Sequence, residues 1–173
     1  MLKKGINTLC VACGLIGSLA PALASADSLK AALSGYASVP ALSSTGTGRF
    51  IAEIDAVNNV ITYQLTYSGL EGDALQAHIH VAQTGVNGGI SAFLCSNLPS
   101  PPAGTPACPV TAGTVTGIIQ ASSVVGPNAQ GIAPGEFAKL VAALRAGVTY
   151  ANIHTSKFGP GELRGQIKVS DTN

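Results

Sequence analysis

Charge is what this 173-residue sequence has least of. Only 10% of residues are Asp, Glu, Lys or Arg, and the formal net charge is +1. That is under half the charged fraction usual for a soluble domain. Without clustered Lys and Arg there is no electrostatic basis for nucleic-acid binding. With eight acids in the whole chain, no pair of carboxylates spaced for hydrolysis can be nominated. No serine sits in a GxSxG elbow. The glycines of TGVNGG (84–89) follow a strand pattern with no helix after it, so they form no phosphate-binding fingerprint. A long apolar run is also missing. Mean hydropathy is +0.38, yet the one uncharged stretch rich in large apolar residues is INTLCVACGLIGSLA, 6–20. It is shorter than the roughly 20 residues a bilayer span requires.

That stretch has another reading. Lys3 and Lys4 precede it, and PALASA (21–26) ends in small residues. Basic start, apolar middle and small-residue end are the layout of a cleaved secretory signal. Residues 1–26 are therefore expected to be a signal peptide and 27–173 a single β-domain with no membrane span. The dibasic start is bacterial in style, which makes the periplasm or the extracellular medium the expected destination. Beyond residue 26 there are seven basic and eight acidic residues, a net charge of −1. Cys10 and Cys13 fall inside the signal, leaving Cys95 and Cys108. An even pair in an exported chain predicts one disulfide; the alternative is two free buried thiols.

The rest of the chain alternates on a period of two. Phe50, Ala52 and Ile54 share one side of 48–54, and Ile61, Tyr63, Leu65 and Tyr67 one side of 60–67, with Asn58-Asn59 between them suited to a hairpin. Further strands are expected at 28–34, 75–81, 89–94, 114–119, 148–154 and 162–169. Many short strands punctuated by Gly, Pro and Ser predict an all-β immunoglobulin-like or Greek-key sandwich or barrel. One segment departs. In 134–146, Phe137, Leu140, Val141 and Leu144 recur at helical spacing, with Pro134 suited to a first turn and Gly147 to the position past the end. One short amphipathic helix is expected there, capping the core. Residues 95–110, with five prolines, read as an irregular loop that the disulfide closes.

All three histidines fall in two segments. His78 and His80 lie in AHIHV, and His154 ends VTYANIHT, where Asn152 shares its face. On a strand, residues i and i+2 project from one face about 7 Å apart. If the two strand ends are neighbours, three neutral imidazoles converge, a ligand set suited to zinc or copper with one position open. In GELRGQIKV, Glu162 and Arg164 also share a face. Glu162 is expected as a fourth ligand or as the acceptor of a histidine N–H, with Arg164 as its partner. The plainer reading makes the histidines hydrogen-bonders of strand ends and Glu162–Arg164 a weak surface pair.

AHIHVAQTGVNGGI and YANIHTSKFGPGELRGQI, with the opening LSGYASVPALSSTGTGRF, resemble the CHRD domain of chordin and of bacterial exported proteins. The resemblance spans roughly 28–169. Val39-Pro40 and Phe158-Gly159-Pro160 depart mildly from the usual pattern. The resemblance implies an immunoglobulin-like β-barrel or sandwich and a binding role outside the cytoplasm, toward a protein or polysaccharide. HIHVAQTGVNGG is also similar to the segment that opens the copper site of copper/zinc superoxide dismutases, where the copper lies on the outer wall of the barrel beneath loops. The chain lacks that family's bridging and zinc-site ligands. Three readings stand: a metal-binding module, a copper-only dismutase-like enzyme in which Arg164 steers the anion, and a structural or adhesive domain.

Overall fold

In the computed structural model, Met1 and residues 27–170 are described; the rest of the segment expected to be a signal, with Cys10 and Cys13, lies outside them. Nine strands form one antiparallel sheet: β1 Asp27–Ser34, β2 Thr47–Asp55, β3 Val60–Ser68, β4 Ala74–Val81, β5 Gly89–Ser96, β6 Gly113–Ile119, β7 Thr149–Thr155, β8 Leu163–Gln166 and β9 Lys168–Val169. The order is β5-β4-β7-β8-β1-β2-β3-β6, with β9 against β1. The sheet curls until its edge strands nearly meet. Across that seam Tyr63 Oη donates to the Leu94 carbonyl at 2.6 Å, Val125 N–H donates to the Ser91 carbonyl at 2.9 Å, and Ala92 bridges Val124. β6 pairs with β3 and stands with β5 as the two edges of the sheet. Of the all-β sandwich or barrel expected from the alternation, the observed architecture is the nearly closed barrel.

The alternation works because each strand turns one face inward. Leu29, Leu33, Phe50, Ile54, Ile61, Leu65, Ile79 and Ile153 are all 2% exposed or less. Register keeps these faces together: Phe50 pairs with both Ala31 and Leu65. The β2–β3 hairpin turns at 56–59, where the Asp55 carboxylate accepts the Val57 and Asn58 N–H groups and Asn59 takes φ 53°.

The helix α1 is Phe137–Arg145, shorter than the expected 134–146. Gly135 takes φ +86°, a left-handed conformation that cannot continue into a helix, so Pro134 lies in the preceding turn. Phe137, Leu140, Val141 and Leu144 are buried as the spacing predicts. Gly147, at φ +69°, ends the segment. The expected strand 162–169 is broken at Ile167. That side chain is fully buried, and its N–H donates to the Thr149 carbonyl at 2.9 Å, in register with the β7–β8 pairing. Cys95 and Cys108 form the disulfide, closing the proline-rich loop with a stabilisation typically about 2–4 kcal/mol. Among the described residues no helix is long and apolar enough to cross a membrane.

Candidate metal centre

Strand β4 lies between β5 and β7. Ala77, Ile79 and Val81 face the core, so His78 and His80 stand on the outer wall of the barrel. The register with β7 brings the third histidine to them. His78 pairs with Asn152, His80 with Tyr150, and Gln76 with His154, which places His154 diagonally beside His78. The ring centroids are 5.4 Å (His78–His80), 5.0 Å (His78–His154) and 5.8 Å (His80–His154) apart. One nitrogen from each lies within 4.8 Å of the others. Register shifts in the β4–β5 pairing set Phe93 opposite His78, and its ring meets the imidazole edge-on at 4.4 Å.

Outer-wall residues are ordinarily wet, but two loops cover these. His80 Nδ1 bonds the Gly88 carbonyl at 3.0 Å, and His154 Nδ1 bonds the Gly159 carbonyl at 2.8 Å. A carbonyl only accepts, so each Nδ1 carries the proton and each Nε2 keeps its lone pair. Those two Nε2 atoms and both nitrogens of His78 are buried without a hydrogen-bond partner, as is Asn152 Oδ1. Native proteins seldom leave such atoms unpaired, and a bound ion is one of the standard reasons. Burial drives the pKa of His78 down to about 2, helped by His154 and His80, and that of His80 to about 4 against its bond to Gly88. His154 is lowered by burial as well. All three are therefore neutral at neutral pH, the state a ligand must have. The donor set and its tautomers fit zinc or copper.

Glu162 does not serve this cluster, which corrects the expectation. It lies just before β8 and is fully buried. Its Oε1 accepts from Ser44 Oγ at 2.7 Å and the Glu71 N–H at 2.8 Å, and its Oε2 accepts from Thr155 Oγ1 at 2.8 Å. The histidine N–H groups go to backbone carbonyls instead. Nor is Arg164 the partner of Glu162. Its guanidinium donates to Asn87 Oδ1 at 3.0 Å, the Val86 carbonyl at 2.8 Å and the Gln83 carbonyl at 3.4 Å, fastening the loop 82–88. At 3% exposure it offers no open cation to steer an anion.

Asn152 stands opposite His78 on the neighbouring strand. Its Nδ2 reaches the Pro160 carbonyl at 3.4 Å. Gly161 (φ +126°) lies so close that a Cβ there would come within 2.3 Å of the Asn152 amide. Gly88 is equally constrained, since its Cβ would lie 1.9 Å from the Val81 carbonyl oxygen.

The sequence reading missed Tyr150. Its ring stacks on His80 at 4.8 Å and 4°, the Arg164 guanidinium lies 3.5 Å from its centroid, and its hydroxyl accepts the Gly88 N–H at 3.2 Å. It fixes both the His80 ring and the loop whose Gly88 carbonyl accepts from His80. Its signal was present, two residues before Asn152 on the same strand face.

No curated protein and no solved structure matches the chain. The family model described as CHRD domain matches residues 29–167, nearly all of the described chain and both histidine segments. The chain belongs to the CHRD domain family.

Proposed function

We propose that this chain is an exported binding module whose outer wall holds one copper or zinc ion through His78, His80 and His154. Asn152, Tyr150 and Arg164 position the ligands and the loops above them. The observation that carries the reading is the convergence of three neutral imidazoles, two with Nε2 freed by an Nδ1–carbonyl bond and the third, His78, with no partner at all. A purely structural role would leave the histidine nitrogens hydrogen-bonded, and His78 is not. The disulfide fits an oxidising compartment, and export follows from reading residues 1–26 as a signal. An extracellular protein or polysaccharide is the kind of partner such a module engages. Catalysis is not needed to account for the site.

Calorimetric titration of the purified protein with Zn²⁺, Cu²⁺ and, under ascorbate, Cu⁺ tests the metal reading. One equivalent is expected to bind the wild type, and His80→Ala is expected to weaken that binding at least about 100-fold, a loss beyond the 10–100-fold range of supporting residues. Equal and negligible binding in both proteins would remove the metal site.

A further inference from the structure

The charge balance around the three histidines names the ion. The ligands are three neutral imidazoles. Among the described residues, no carboxylate or thiolate joins them within the 4.8 Å that groups their nitrogens. The nearby buried acid, Glu162, has its oxygens engaged by Ser44, the Glu71 N–H and Thr155. The charged side chain that does stand beside the cluster is positive: Arg164 lies on the ring of Tyr150, which itself stacks on His80. The ligand nitrogens are buried.

An ion entering this site leaves water for a medium of low dielectric. The cost of that transfer rises with the square of the charge, so a dication bears about four times the penalty of a monocation. Arg164 repels a dication twice as strongly. Coordination number points the same way. Zinc sites are almost always four-coordinate, and Cu(II) takes tetragonal sets of nitrogen and oxygen. Each would have to bring in a fourth donor, such as water, and among the described residues no anionic ligand joins the cluster to offset the second charge. A monovalent ion with three imidazole ligands needs neither. Among transition-metal ions that imidazole binds well, copper is the one with a stable monovalent state.

We propose, resting on the metal-site reading above, that the centre is selective for cuprous copper over Cu(II) and Zn(II). The module then holds copper in its reduced form outside the cytoplasm.

Three competition titrations on the purified protein test this: Cu⁺ against bicinchoninate under anaerobic ascorbate, and Cu²⁺ and Zn²⁺ against a chelator of known affinity. Ascorbate is chosen because thiol reductants would attack Cys95–Cys108. Cu⁺ is expected to bind at least about 100-fold more tightly than Cu²⁺, which places the bound couple about 120 mV above the free one at 59 mV per tenfold. Asn152→Asp puts a carboxylate beside His78 with little change of shape, and is expected to cut the cuprous preference at least about tenfold. Cu²⁺ or Zn²⁺ binding as tightly as Cu⁺ in the wild type would overturn the selectivity and leave the metal site standing, as would an unchanged preference in Asn152→Asp. No binding of any of the three would remove the metal site itself.

Discussion

Replacing His78 by leucine is expected to raise the stability of the metal-free protein while removing its metal binding. His78 is fully buried, and neither ring nitrogen has a partner. Each unsatisfied buried polar group costs about 1–3 kcal/mol. Leucine fits against Phe93 without carrying that penalty, so a gain of about 1–2 kcal/mol is expected after allowance for imperfect packing. In a chain of this size each kcal/mol moves the melting temperature by about 2–4 °C.

The effect should grow in acid. Burial lowers the folded-state pKa values of all three histidines from the ordinary 6.5. Between 6.5 and those depressed values the unfolded chain binds protons that the folded chain refuses. Stability is therefore fully present above about pH 6.5 and falls as the pH drops toward 4, by up to about 1.4 kcal/mol per pH unit for each histidine. The leucine variant loses one of the three contributions and declines less steeply. Metal binding follows the same logic. Free imidazole would surrender its ion below about pH 6.5, whereas His80, held to about 4, keeps its lone pair to a lower pH. Melts in chelator at pH 7.5 and pH 5 provide the measurement. A melting temperature below the wild type at neutral pH would mean that His78 serves the fold and not an ion.

Glu162→Ala is expected to be severely destabilising and yet to leave the metal site intact in molecules that fold. The carboxylate accepts three hydrogen bonds from three separate segments: Ser44 before β2, Glu71 before β4, and Thr155 at the end of β7. Bonds to a charged group contribute about 1.5–3 kcal/mol each, and their loss leaves the Glu71 N–H without its acceptor. A net cost of about 3–5 kcal/mol follows, read from urea denaturation. Because Glu162 touches no histidine nitrogen, metal affinity of the folded variant is expected to fall by less than the roughly tenfold at which an effect through a supporting contact begins. A loss of about 100-fold or more would restore Glu162 as a ligand.

What the sequence discloses here is local, and what it hides is register. Period-two alternation exposes the strands because each has one buried face, and AHIHV alone sets His78 and His80 on the opposite face from Ile79. The meeting with His154 depends on pairing β4 with the distant β7, where Gln76 falls opposite His154, 78 residues further along the chain. No local pattern encodes that offset. Glu162 and Arg164 share a face at i, i+2 and looked like partners for the same reason that misled: parity gives the side of a strand, not its neighbours. Glu162 precedes β8 and turns to Ser44 and Thr155, whereas Arg164 lies opposite Asn152 and turns to the loop 82–88. The helix start shifted because Gly135, read as an ordinary helical position, adopts a left-handed conformation.

The fastening of the loop 82–88 has a kinetic consequence. Arg164 holds it at Gln83, Val86 and Asn87, Gln166 Nε2 grips the Ala82 carbonyl at 3.0 Å, and Asn87 Nδ2 reaches across to the Val39 carbonyl at 3.1 Å. The loop also supplies Gly88, whose carbonyl orients His80. An ion held beneath it would leave only after several of these bonds open together, so its residence time would follow the frequency of loop opening as well as its affinity. Such a centre is expected to load and empty slowly. A strong chelator is then expected to strip the ion no faster than the loop opens.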